Sequence, residues 1–390
     1  MKHRGLKHIL TLLILLSLAL LTACGGGGGD GDGSGAGTEL AGSVSKGPVA
    51  GADVKIFALD ATGAKGELLA EAVTDGSGTY LADLGDYEGP ILVEVTGGSY
   101  LDEGSGQTLG IPGDAPLRAV HPAASGQVSL HVTPLTELAV QVAEAAGISL
   151  ETVAAAYDQV SEIFGFDIET TTPLAPEAAA LAGASEDEVD YALTLAVLSQ
   201  LAFDRGQTID ELLADLAAEL AEEGALSSAT LAAFDAAAAT FLGAANPDNA
   251  TGLESPAGTG LAAVGRTPAT LTLSVAGDLP VGRIGGLQVE LVLPEEAFVA
   301  FDADGEPVVT PAEGTDPHLV AFNDLGAGTL NLAIFSLEGL GSGELATVNL
   351  GLVTGSGLGS DDFVAAEFVA IDSDGAELPD VALDLELTVE

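Results

Sequence analysis

The chain has one cysteine, one methionine and no tryptophan in 390 residues. A single thiol forms no intrachain disulfide and supplies neither a thiolate metal cage nor a redox pair. Cations are almost as scarce, with ten Lys and Arg against 59 Asp and Glu and a formal net charge of −49. Three of the ten, Lys2, Arg4 and Lys7, precede residue 8, and Arg118, Arg205, Arg266 and Arg283 lie singly along the rest. A phosphate backbone needs a clustered basic footprint, so nucleic acid is excluded as a partner. Beyond residue 8 the histidines are His121, His131 and His318, and no two have the i, i+4 spacing of a helical zinc site. No Gly-x-Ser-x-Gly joins a strand pattern to a helical one. Gly355-Ser356-Gly357-Leu358-Gly359 lacks the lysine and following helix that cradle phosphate, and reads as a turn. No catalytic residue is assigned, and the chain reads as a non-enzyme.

What is present begins with hydrophobicity. Apolar residues make up 47% of the chain and mean hydropathy is positive, so the acidity belongs to folded surfaces rather than to disorder. Few lysines, few aromatics and abundant Ala, Gly and Val resemble proteins of halophiles, where salt screens repulsion between carboxylates.

Lys2, Arg4 and Lys7 precede an uncharged, mostly apolar run from Ile9 to Leu21 that is too short for a lasting membrane span. It ends in Leu21-Thr22-Ala23-Cys24, which resembles the bacterial lipobox. The resemblance implies that residues 1–23 are a signal peptide and that Cys24 is lipidated and becomes the mature N-terminus. Gly25, rather than a retaining Asp, follows it, so the expected address is the outer membrane, facing the periplasm or the cell surface. Residues 24–39, rich in Gly and Asp, read as a tether whose r.m.s. reach is about 20 Å.

The periodicity then changes twice. Over 40–105 Val54, Ile56 and Ala58 alternate with Asp53 and Lys55, and Gly-rich turns such as Lys46-Gly47-Pro48 and Asp75-Gly76-Ser77-Gly78 separate short strands. A small antiparallel sandwich is expected. The segments 47–54 and 74–80 resemble the carboxypeptidase regulatory-like (prealbumin-like) family, which implies a non-catalytic β-sandwich. A connector follows over 106–132. Over 133–243 the apolar period is helical, with Thr133-Pro134, Ser149, Ser185/Glu188, Thr208/Glu211 and Ser228 as start signals and Gly147 and Gly165 as stops. Five or so helices with short joints predict a helical bundle. Residues 244–266 carry turn residues without a period and read as a linker.

From 267 to 390 strict alternation returns in Leu271, Leu273, Val275; Leu287, Val289, Leu291; Leu330, Leu332, Ile334; and Leu383, Leu385, Leu387. About nine strands predict a two-sheet sandwich or jelly roll. The segments 286–293, 329–335 and 343–350 resemble cohesins, which implies a docking module. The expected fold class is therefore multidomain α+β: a small β-sandwich, a helical bundle and a cohesin-like nine-strand sandwich. Two near-repeats, 298–305 and 368–375, end in Asp-x-Asp-Gly. Asp302, Asp304, Asp372 and Asp374 are candidate calcium ligands, although the pattern lacks the bidentate Glu of a full EF-hand loop and fits a hairpin turn. No other cofactor is expected.

The resulting expectation is a membrane-anchored, non-catalytic binding, docking or display protein whose partner is an exported protein. Alternatives are a glycan-binding adhesin and, less favoured, an enzyme acting on an extracellular polymer. The anchor has a direct test: Cys24→Ala should leave an unprocessed precursor or a soluble product. Mass spectrometry of the parent should find Cys24 at the N-terminus with acyl mass attached; a mature chain starting elsewhere without acyl groups contradicts the anchor.

Overall fold

Alternation sets the first strands. In β2 (Ala50–Leu59) Ala52, Val54 and Ile56 are buried while Asp53 and Lys55 face water. β2 lies between β3 (Lys65–Val73) and β5 (Gly89–Leu101), and β5 also pairs with β6 (Thr108–Ile111) and β7 (Leu117–Ala124). A smaller sheet orders β4 (Thr79–Asp83), β1 (Glu39–Ser43) and β8 (Gln127–Ser129). These elements belong to a computed structural model that describes residues 37–60, 62–302, 307–312, 319–324 and 328–390. The signal peptide and Cys24, with Leu21, Thr22 and Ala23, lie outside the described residues.

Two details depart from a simple antiparallel sandwich. β1 pairs antiparallel with β4 but parallel with β8, Leu40 facing Val128. The parallel pairing arises because 106–132, which reads as a connector, forms three strands and returns to β1 from the far side. The Asp75 turn likewise makes no hairpin. Its Oδ1 accepts the Ser77 and Thr79 N–H groups at 2.8 and 3.0 Å, and the chain passes there from the sheet of β3 to that of β4.

The helices start where their capping residues stand. Thr133 caps α1 (Pro134–Ala145), with Pro134 at the position where its missing N–H is no loss. Ser149 caps α2 (Leu150–Phe164), and Gly165 ends it at φ 83°. After the single turn α3 (Ala178–Leu181), reciprocal capping boxes open α4 (Glu186–Arg205) at Ser185/Glu188 and α5 (Ile209–Glu223) at Thr208/Glu211. Ser227, one residue before the expected Ser228, caps α6 (Ser228–Leu242). Tyr191 on α4 is fully buried and its hydroxyl lies 2.7 Å from Thr133 Oγ1, tying α4 to the start of α1.

The last part of the chain is built on strands, with a single 3₁₀ turn at Ser360–Asp362 among the described residues. One sheet orders β13 (Leu319–Asp324), β14 (Thr329–Leu340), β10 (Ile284–Val292) and β16 (Val364–Ile371). The other orders β11 (Ala297–Val299), β15 (Gly343–Val353), β9 (Arg266–Val275) and β17 (Leu383–Val389), with β12 (Val309–Pro311) also on β15. All these pairings are antiparallel. The chain is thus α+β, and its buried apolar side chains form two clusters. One runs continuously through the early strands, the helices, Leu261 and Val264 and reaches Val353 of β15; the other fills the space between the two late sheets.

A buried ionic group joins the early strands to the helices. Lys46 is 1% exposed; its Nζ donates to Asp102 Oδ2 at 2.5 Å and to Ser199 Oγ at 2.9 Å, and lies 4.8 Å from the centre of the Tyr100 ring. Ser199, on α4, lies 3.1 Å from Glu103 Oε2. Gly47 beside it has φ 69°, and an added Cβ would stand 2.8 Å from Glu103 Oε1, so glycine is required there. Burial raises the Glu103 carboxyl to about 7 against the pull of Lys46. Burial acts the same way on Asp102, but the Lys46 ammonium and Ser105 outweigh it and hold that carboxyl below the usual range.

Because Glu103 binds its proton more tightly in the folded chain than in the unfolded one, its contribution is full below 4.5 and is lost as pH rises through about 7. Glu103→Gln should therefore gain stability relative to the parent across that window, measured by denaturant melts. An unchanged difference contradicts the burial of a titrating Glu103. Lys46→Met should lose about 3–5 kcal/mol at neutral pH by leaving buried carboxylates unpaired.

Candidate ligand-binding cleft

Residues 244–266 read as a linker, yet they are tightly held, and the last of them, Arg266, already belongs to β9. Asn249 Nδ2 donates to the carbonyls of Leu242 and Leu253 at 3.0 and 2.7 Å. Thr259 caps a short 3₁₀ turn at Gly260–Ala263, and Asp190 on α4 accepts the Gly260 N–H at 2.8 Å. The Gly265 N–H then donates to the Ile163 carbonyl of α2, and its own carbonyl accepts from Thr354. Side chains and backbone groups of three helices thus fix the approach to β9.

Arg266, the first residue of β9, is the joint. Its side chain is 3% exposed, and its Nη2 donates to Asp235 Oδ2 on α6 at 2.5 Å. Nη1 donates to the Ala262 carbonyl at 3.0 Å, with Val264 O at 3.4 Å. The guanidinium lies over the Phe298 ring of β11, 4.2 Å from its centre. Nε is shut from water and has no hydrogen-bond partner among the described residues. Burial raises the Asp235 carboxyl, opposed by the Arg266 charge.

Beside this joint is a cleft of about 550 Å³, within the usual range for small-molecule sites. The helical side contributes Pro256, Leu261 and Ala263; the sandwich contributes Leu293, Phe298 and Phe301. Phe301 is 44% exposed, a large apolar ring held at the mouth. Among the described residues, Asp235 and Arg266 are the only charged ones in its lining, and they bond to each other. A second cavity of about 380 Å³ has walls of another kind, including Lys46, Arg118, Glu137 and Asp210. There the Arg118 fork is filled by Glu137 at 2.8 and 2.9 Å and by Glu144 at 2.6 and 3.0 Å.

The residues singled out in the sequence lie elsewhere. Asp304 and His318 fall outside the described residues. Asp302 is exposed beyond β11, and the half-buried Asp372 and exposed Asp374 lie beyond β16 in the opposite sheet. Asp372 Oδ1 accepts the Asp374 and Ala376 N–H groups, both at 2.9 Å, and those bonds, the Ala376 one foremost, hold its carboxyl below the usual range. This carboxylate caps its own turn. Among the described residues no group of three or more His, Cys, Asp or Glu is placed to hold a metal ion. The sequence reading missed Arg266, Asp235 and Phe298; the one available signal was a lone cation where turn residues give way to alternation.

If the Asp235 pair secures the joint, Asp235→Asn should destabilise the chain by about 1–3 kcal/mol, since a buried guanidinium exchanges a carboxylate for a neutral acceptor. Denaturant melts check this, and an unchanged midpoint contradicts it.

No family model matches the chain, and no curated protein matches it. Among solved structures, a non-cellulosomal cohesin from the hyperthermophilic archaeon Archaeoglobus fulgidus is 15% identical, over 29% of this chain and 73% of that one, with a TM-score of 0.22. A 9R-lipoxygenase from Cyanothece is 10% identical, over 51% of this chain and 26% of the enzyme, with a TM-score of 0.18. Likenesses this low establish no shared fold and carry no argument about function.

Proposed function

We propose that this protein is an exported, lipid-anchored binding protein without turnover, which holds its ligand in the cleft between the helical part and the late sandwich. The observation that carries this reading is the cleft itself, an apolar space of about 550 Å³ whose two charges are already paired. Among the described residues its lining contains no histidine, cysteine or lysine, and its one carboxylate, Asp235, is engaged by Arg266, which leaves a hydroxyl such as Ser255 or Thr259 without a free base from that set. Ser199, the serine that does contact a lysine, is 2% exposed and sealed at the other joint. The Leu21 to Cys24 motif supports the anchor, and a tether behind it keeps the cleft at high effective concentration near the membrane. A glycan is the poorer ligand: residues 267–390 contain neither Trp nor Tyr on which a sugar ring stacks.

The test uses residues 37–390, a compact unit that contains every described contact. Diphenylhexatriene, a fluorescent hydrocarbon, should bind saturably. Ala263→Trp, at an exposed position in the cleft wall, should weaken that binding about tenfold or more without moving the melting temperature. Absent or non-saturable binding, or binding indifferent to Ala263→Trp, overturns the proposal.

A further inference from the structure

Arg266, in the wall of the cleft, holds an unmet hydrogen-bond donor, and that donor narrows the ligand. We infer that the cleft takes an uncharged acyl ester or amide, its chain against the apolar wall and its carbonyl accepting the Arg266 Nε–H. The inference rests on the binding reading above.

Arg266 engages its two Nη groups with Asp235 and with the carbonyls of Ala262 and Val264, while Nε has no acceptor among the described residues. Buried donors in folded proteins are nearly always paired, and an unpaired one costs about 1–3 kcal/mol. Water does not reach it. A ligand acceptor placed there removes that standing cost, which a plain hydrocarbon cannot do.

Charge selects the kind of acceptor. The guanidinium is already neutralised by Asp235 at 2.5 Å, so a ligand carboxylate would meet no net positive charge. It would also sit close to the Asp235 carboxylate in a site of low dielectric, on a chain of net charge −49. A cationic ligand meets the guanidinium and an apolar wall, with the one lining carboxylate engaged. A neutral carbonyl suffers none of these penalties. Because Nε is closed off in the free chain, seating the carbonyl requires Phe298, a half-buried ring on the three-residue edge strand β11, to turn off the guanidinium.

The experiment displaces diphenylhexatriene from residues 37–390 with two competitors of one chain length, glycerol monolaurate and laurate, at about pH 8 and below their micellar concentrations. Monolaurate ester should displace the dye about tenfold more strongly than the ionised acid. Arg266→Lys retains a cation for Asp235 but has no Nε–H. It should lose that advantage of about tenfold, read as the ratio of ester to acid displacement on the same variant. Equal or stronger displacement by laurate, or failure of both competitors, overturns the ligand class while saturable dye binding leaves the binding reading intact. An Arg266→Lys chain that keeps the full ester affinity overturns the role of Nε. Should that variant not fold, the ranking of ester and acid on the parent decides. Failure of the dye itself to bind removes the binding reading rather than the ligand class alone.

Discussion

Arg266 gathers partners that the sequence keeps far apart: Asp235 on α6, the carbonyls of Ala262 and Val264 in the turn before β9, and the Phe298 ring on β11. Where Val353 and Phe298 of the sandwich pack against the apolar cluster of the early strands and helices, this guanidinium is a polar contact that sets where the sandwich begins relative to the helices. Burying it is costly in isolation, and the carboxylate, two carbonyls and aromatic face together offset that cost. The cleft follows from the same geometry. With Arg266 and Phe298 held at the joint, the turn at Gly260–Ala263 and the start of the sandwich stand apart and leave an apolar space between them.

The scarcity of cations gives this joint its context. Of the few lysines and arginines in the described chain, three are committed to internal junctions. Lys46 joins the early strands to α4 through Asp102 and Ser199, Arg118 joins β7 to α1 through Glu137 and Glu144, and Arg266 joins α6 to β9. The surplus acids are left to repel one another through solvent, where salt shortens the range of the repulsion. The Lys46–Asp102 pair is buried and little affected by that screening, so that junction holds at the ionic strengths that the acidic surface favours.

Much of the framework was legible because it rests on local rules. Thr133, Ser149, Ser185/Glu188 and Thr208/Glu211 satisfy backbone donors within one helical turn, and the alternation at Leu271, Leu273 and Val275 follows the pleat of one strand. What escaped depends on distant partners. Lys46 stands in a Lys-Gly-Pro turn, and nothing within several residues announces that Asp102 and Ser199 will enclose it. The parallel pairing of β1 with β8 is invisible to alternation, which is the same for either direction. Residues 244–265 lack a period because side-chain to backbone bonds from Asn249, Thr259 and Asp190 order them instead of a repeating element. Among the candidate site residues, the Asp-Gly turn at Asp372 was legible as a turn, whereas the cleft was not, since its walls come from five separate stretches of chain.

The central claim is that Arg266 carries a sealed, unmet donor that a neutral ligand completes. The arginine Nε–H resonances of ¹⁵N-labelled residues 37–390 report this directly, because only Arg118, Arg205, Arg266 and Arg283 contribute and Arg266→Lys assigns the signal by its loss. In the ligand-free chain the Arg266 Nε–H should exchange slowly with water, and saturating glycerol monolaurate should move it downfield as a hydrogen bond forms. Rapid exchange in the free chain, or a resonance that stays in place while the ester fills the cleft, would contradict the account.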